Sequence, residues 1–159
     1  MNVIIIQTHD TGRYIAPYGC AVPTPNLTAM AKEGTLFRNA FCAAPTCSPS
    51  RAAMLTGMSA HESGMLGLAH LGFELNDYDQ HLASYLRARG YETVCCGLQH
   101  INKNDPGSRR VAYSRQYSSA IGGKDFWYWR DKEDAARAAE YIKTRKRQDR
   151  PFYLYLGLF

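Results

Sequence analysis

The stretch Cys47-Ser48-Pro49-Ser50-Arg51, running on through Ala52-Ala53-Met54 into Leu55-Thr56-Gly57, sets a nucleophile at the start of a short helix. Ser48, Pro49 and Ser50 favour a cap and a first helical turn, residues 52–55 propagate the helix, and Gly57 ends it. Backbone N–H groups of such a first turn point outward, which makes the place of Cys47 suited to an anion such as phosphate or sulfate. Arg51 follows one helical turn later, so its planar guanidinium reaches back to the same place. An inert cysteine in a buried helix is the competing reading of Cys47 alone; the rest of the stretch argues against it.

Two further polar turns follow apolar runs. Gln7-Thr8-His9-Asp10-Thr11-Gly12-Arg13 comes after residues 3–6, and Leu98-Gln99-His100 comes after the run that starts at Tyr91. Open α/β sheets bind ligands outside the carboxyl ends of their strands, so this spacing brings His9, Asp10 and His100 to the edge that holds Cys47.

The elements that must position these residues read in order. Residues 3–6 are a strand buried on both faces, the first central strand of a parallel sheet. Residues 23–34 form a helix capped by Thr24, with Pro25 in its first turn, an apolar stripe of Leu27, Met30 and Ala31, and Gly34 as its stop. Residues 35–41 run extended into the cysteine turn. A glycine-rich loop with His61 and His70 beside it covers residues 64–70. Residues 79–89 form an amphipathic helix with Leu82, Tyr85 and Leu86 inward. The strand starting at Tyr91 is buried, and residues 102–123 read as a long loop or lid. The cluster Phe126, Trp127, Tyr128 and Trp129 packs against the following helix, residues 131–146, which is acidic at its start and basic at its end. The basic run 143–150 is the solvated end of that helix, and residues 151–156 return as a buried strand. Helices connecting buried strands imply right-handed crossovers and a mostly parallel sheet flanked by helices, an α/β fold.

Composition sets wider bounds. The chain has 159 residues, 45% hydrophobic and 21% charged, enough for one globular domain with a core. Its net charge of +5 suits an acidic partner. The five cysteines, Cys20, Cys42, Cys47, Cys95 and Cys96, show no paired metal-ligand spacing. No secretory leader precedes the first strand, which points to a cytoplasmic, reducing compartment or to a sequence whose leader is absent. No apolar run approaches the roughly 20 residues needed to span a bilayer, and neither nucleic acid nor membrane is expected as a partner.

The Cys-x-Pro-Ser-Arg-x-x-x-Leu-Thr-Gly pattern at residues 47–57 resembles the motif of the type I sulfatases, in which the cysteine is oxidised to formylglycine by a maturation enzyme. The segment 90–100 is similar to the second sulfatase motif, and the loop at 64–70 to that of the sulfamidases. The resemblance implies the alkaline phosphatase-like fold, incomplete at the C-terminus, with residues 1–159 as the N-terminal portion of the catalytic domain. It implies hydrolysis of sulfuric esters or sulfamates on sulfated sugars, with Cys47, Arg51 and His100 catalytic. Asp10, His9 and the converted Cys47 would hold calcium or another divalent metal. One hydroxyl of the hydrated aldehyde attacks sulfur, Arg51 and the helix N-terminus hold the developing charge, and His100 takes the proton that lets sulfate leave.

Two positions depart from the pattern. His9 stands where the family has the first aspartate of a calcium-binding pair, and is either a ligand or a hydrogen-bonding neighbour of one. Leu98 stands where the family has a lysine, a cation that Lys103 would have to replace. Alternatives are a phosphate or phosphonate ester hydrolase of the same superfamily, and a noncatalytic protein that keeps the pocket. The 159 residues alone are expected to be catalytically silent.

Imidazole in place of carboxylate removes a negative charge and a hard oxygen from the metal site. The full-length protein is expected to bind calcium more weakly than its His9→Asp variant. Equal calcium affinity by calorimetry would place His9 outside the coordination sphere.

Overall fold

The computed structural model describes residues 1–102, 113–117, 126–146 and 149–159. Four strands, β1 (Val3–Gln7), β2 (Glu92–Gly97), β3 (Arg115–Tyr117) and β4 (Phe152–Gly157), form one parallel sheet in the order β1-β4-β2-β3. The helices are α1 (Pro25–Glu33), α2 (Cys47–Thr56), α3 (Ala60–Ser63), α4 (Leu82–Arg87) and α5 (Phe126–Thr144).

Period-two alternation sends the side chains of the central strands to two cores. On one face Cys95, Tyr153 and Tyr155 pack with Ala52 and Leu55 of α2, Ala83 of α4, and Met65, Leu75 and Ile101. On the other, Val94, Cys96, Phe152, Leu154 and Leu156 pack with Ala138 and Tyr141 of α5. The result is a three-layer α/β sandwich whose middle strands, β2 and β4, are buried along their whole length. Burial raises the thiols of Cys95 and Cys96, the latter to about 11, so both stay protonated and inert.

Strand order departs from the expectation for the first strand and bears out the last as buried. Among the described residues β1 pairs on one side only, with β4, its burial alternates, and Ile4 and Ile6 are exposed. β4 is interior, paired with β1 from Val3↔Tyr153 to Gln7↔Gly157 and with β2 from Glu92↔Phe152 to Gly97↔Gly157. The last strand in sequence therefore has neighbours on both sides. The carboxyl ends of β2 and β4 touch backbone to backbone. A Cβ on Gly157 would lie 1.9 Å from the Leu98 carbonyl oxygen, and one on Gly97, at φ 82°, 2.2 Å from that of Gly157. Only glycines permit this approach.

Other expectations change at the surface. No residue of α1 is buried; Leu27 and Met30 face solvent, and Thr24 accepts a hydrogen bond from the Ala16 N–H instead of capping the helix. Residues 35–41 are irregular, with Phe37 and Phe41 exposed. The helix foreseen at 79–89 splits at His81 into a short 3-10 turn and α4, and Tyr85 points outward beneath Arg89. β3 lies within the stretch read as a loop, because Arg115–Tyr117 pairs with β2. α5 begins at Phe126, earlier than residue 131; the side chains of Phe126, Trp127, Tyr128 and Trp129 lie outside the described set. Arg145 is no solvated end, since it pairs with the buried Glu92 carboxylate and bonds the Arg150 carbonyl.

His81 is fully buried and its Nδ1 accepts the Ala83 N–H at 2.9 Å, capping α4. Burial lowers its pKa from 6.5 to about 4. Between those values the unfolded chain binds a proton that the folded one refuses, so stability is full above pH 6.5 and falls as the pH drops towards 4. The loss levels off below that at on the order of 3 kcal/mol. Urea midpoints for the protein and His81→Asn should diverge between pH 7 and pH 5, with the variant losing less; parallel midpoints would exclude His81 as the cause.

Candidate active site

α2 starts at Cys47 itself, with Thr46 as an extended N-cap residue whose side chain makes no capping bond, and it ends at Gly57 in the left-handed region. The Ser48 hydroxyl, expected as a cap, is buried and accepts the Ala69 N–H at 3.0 Å, anchoring the loop that carries His70. Cys47 thus sits in the first turn at the positive end of a ten-residue helix.

Arg51 turns inward, only 3% exposed. Its Nη1 donates to the Tyr155 hydroxyl at 2.6 Å and to Gln7 Oε1 at 3.2 Å, and lies 3.5 Å from the Leu98 carbonyl oxygen. The Tyr155 hydroxyl in turn donates to Gln7 Oε1 at 2.5 Å. Burial, against the lowering pull of Arg51, pushes that hydroxyl up to about 12, so it remains a donor. All these partners are neutral, and among the described residues no carboxylate pairs with Arg51.

The turns after β1 and β2 close on Cys47 from two sides. Cys47 Sγ lies 3.4 Å from His9 Nε2, and one donor atom each from His9, Cys47 and His100 falls within 4.8 Å of the others. His9 Nδ1 is held by the Asp10 carboxylate at 2.9 Å, while Phe159 stacks on the ring at 4.7 Å. His100 Nε2 lies 3.2 Å from His70 Nδ1, the two rings stacked. Desolvation first, then the neighbouring His70, Arg51 and His9, hold His100 below the usual imidazole range, which leaves it neutral and able to accept a proton. Asp10 and His100, at φ 52° and 50°, are the non-glycine residues with positive φ among those described, and both lie in this site.

A cavity of about 280 Å³ opens over the cluster, lined by Gln7, His9, Asp10, Cys42, Cys47 and Arg51 among others. Larger hollows of about 390 Å³ lie beside α5 and near the amino terminus and contain none of these residues.

The structure gathers Cys47, Arg51, His9 and His100, and leaves the Asp10 side chain 84% exposed, turned to His9. His70 joins through His100, whereas His61 is exposed on α3. Leu98 is buried and offers only its carbonyl; Lys103 lies outside the described residues. Sequence reasoning passed over Gln7 and Tyr155. Their signal was a polar group in an otherwise apolar strand near its carboxyl end.

The donors gathered among the described residues do not fit calcium. Calcium takes 6 to 8 hard oxygens, whereas the cluster offers two imidazoles and a thiol, with its one carboxylate engaged by His9.

Residues 1–158 match the family model described as Sulfatase. The chain belongs to the sulfatase family. Members of this family use formylglycine and a divalent metal. Among its sulfatase relatives, N-sulphoglucosamine sulphohydrolase of Homo sapiens is 31% identical over 98% of the chain, which spans 30% of that protein. A putative sulfatase of Bacteroides thetaiotaomicron superposes with a TM-score of 0.76 at 26% identity, over 99% of this chain and 34% of the other. A structure in complex with its substrate D-glucosamine-2-N,6-O-disulfate superposes with a TM-score of 0.74 at 22% identity, over 98% of this chain and 34% of that one. The chain thus has the alkaline phosphatase-like sulfatase fold and spans about a third of the length of these proteins. No helix among the described residues is long and apolar enough to cross a membrane.

Removing the Tyr155 hydroxyl takes one acceptor from a buried guanidinium and one donor from Gln7. Tyr155→Phe is expected to lower the unfolding free energy by about 1–3 kcal/mol, read as a shift in urea midpoint. An unchanged midpoint would show that the hydroxyl does not hold Arg51 in place.

Proposed function

We propose that this chain is the N-terminal portion of a sulfatase catalytic domain that hydrolyses sulfuric esters or sulfamates on sulfated sugars, using formylglycine formed from Cys47. The observation that carries this reading is Arg51, a buried cation that meets only neutral acceptors beneath the first turn of α2. A buried charge without a counter-charge is costly, and an anion in the cavity offsets that cost. The sulfated glucosamine compounds in the names of the matched sulfohydrolase and the substrate complex favour N- or O-sulfated glucosamine as the substrate class.

Formylglycine, once hydrated, supplies a hydroxyl nucleophile and a second hydroxyl whose loss of a proton releases sulfate. Arg51 and the first-turn N–H groups of α2 orient the sulfate oxygens and hold charge that develops on them. Neutral His100, bonded to His70, accepts a proton at a ring nitrogen. Between calcium and another divalent metal, the nitrogen-rich donor set supports the second. The conversion is an oxidation, which this reading assigns to a maturation enzyme as partner.

Leu98 in place of the motif lysine favours one other reading, a pocket that binds sulfated ligands without turnover, since Arg51 is then the only buried cation placed under the cavity among the described residues. Co-expression of the full-length protein with a maturation enzyme separates the two. The Cys47 peptide is expected to lose about 18 Da through covalent conversion, with release of sulfate from N-sulfated glucosamine or an aryl sulfate that Cys47→Ala abolishes. The isolated 159 residues should be silent. Converted full-length protein that binds but does not hydrolyse these compounds would establish the noncatalytic reading, and an unmodified Cys47 would sink the proposal.

A further inference from the structure

We propose that, while Cys47 remains a thiol, His9, Cys47 and His100 form a binding site for a zinc-class divalent transition metal, with Asp10 orienting His9 from outside the coordination sphere. Such a site depends on donor chemistry and geometry alone, independent of sulfatase activity.

The three donors come from three separate parts of the chain: the turn after β1, the first residue of α2, and the turn after β2. Two imidazole nitrogens and one sulfur form a set that hard cations avoid and zinc-class ions favour. Zinc bonds of about 2.3 Å to sulfur and 2.0–2.1 Å to nitrogen put neighbouring N and S ligands about 3.6 Å apart in a tetrahedron. Cys47 Sγ and His9 Nε2 are already 3.4 Å apart, and His100 needs only a small approach within the 4.8 Å cluster.

The surroundings prepare both histidines. Asp10 accepts from His9 Nδ1 at 2.9 Å, which fixes the proton there and leaves the Nε2 lone pair towards the sulfur. This carboxylate–histidine pairing is the usual support of a metal-bound imidazole. His100 Nδ1 is buried without a hydrogen-bond partner among the described residues, while Nε2 faces His70. A metal ion is a group that would satisfy a ring nitrogen left bare in this way. Three protein ligands leave the fourth tetrahedral position open to the cavity. Binding displaces the thiol proton to solvent and forms a metal–thiolate bond. Conversion of Cys47 removes that sulfur, so the thiolate-bound metal and formylglycine exclude one another.

The test uses full-length protein from a host without maturation enzyme, with the Cys47 thiol verified by mass and metal removed by chelation, titrated with cobalt(II). One equivalent should give a thiolate-to-cobalt charge-transfer band in the near ultraviolet that zinc removes and excess calcium does not. Cys47→Ser should abolish the band, and Cys42→Ser, which changes another thiol of the cavity wall, should keep it. Asp10→Asn, a surface change that leaves the three ligands in place, should weaken cobalt binding 10- to 100-fold without shifting the band. No band, a band that survives Cys47→Ser, or displacement by calcium would overturn the proposal.

Discussion

The Arg51 guanidinium is the point on which strand order and chemistry both depend. Burying a cation costs several kcal/mol unless its donors are matched, and here the acceptors come from three different strand ends. Gln7 closes β1, Tyr155 lies near the end of β4, and the Leu98 carbonyl follows β2. A one-residue slip of any strand would turn these groups to the opposite face. Sheet register is therefore fixed partly by the residue that the sheet serves, and the match brings the turns carrying His9 and His100 to Cys47.

The glycines at the strand ends serve the same alignment from the backbone side. Gly97 and Gly157 let β2 and β4 approach until the Leu98 N–H meets the Gly157 carbonyl at 2.9 Å. That contact sets where the chain leaves β2, and so where His100 begins. Strain is then concentrated past the strand ends, at Asp10 and His100 in left-handed conformations. Such positions persist only where neighbours over-determine them, and the contacts to His9 and His70 are those neighbours.

Much of the site was legible because its signals are local. Cys47 and Arg51 are one helical turn apart, and His9 and His100 each follow an apolar run, so short-range spacing places them. What was not legible depends on partners distant in sequence. Among the described residues, pairing puts β1 at one side of the sheet and β4 inside it, although both read as continuous apolar runs. The three residues of β3 become a strand only beside Val94, Cys95 and Cys96. Leu27 and Met30 made a convincing helical stripe, yet both are exposed in the structure. Tyr155 looked like one more aromatic in a buried strand. Its value lies in a hydroxyl whose acceptor is nearly the whole chain away, at Gln7.

Because β4 lies between β1 and β2, the order in which the chain is made acquires a meaning. Neither flanking strand can close on Arg51 before the interior one arrives, and Tyr155 and the Gly157 carbonyl are among the final residues of this sequence. At a synthesis rate of roughly 5–20 residues per second, the stretch from Cys47 to Gly157 takes on the order of ten seconds to emerge. Throughout that interval the cysteine helix exists without the sheet that later encloses it. The topology thus separates two lives of Cys47: an early one as an accessible peptide segment, and a later one as the floor of a finished pocket.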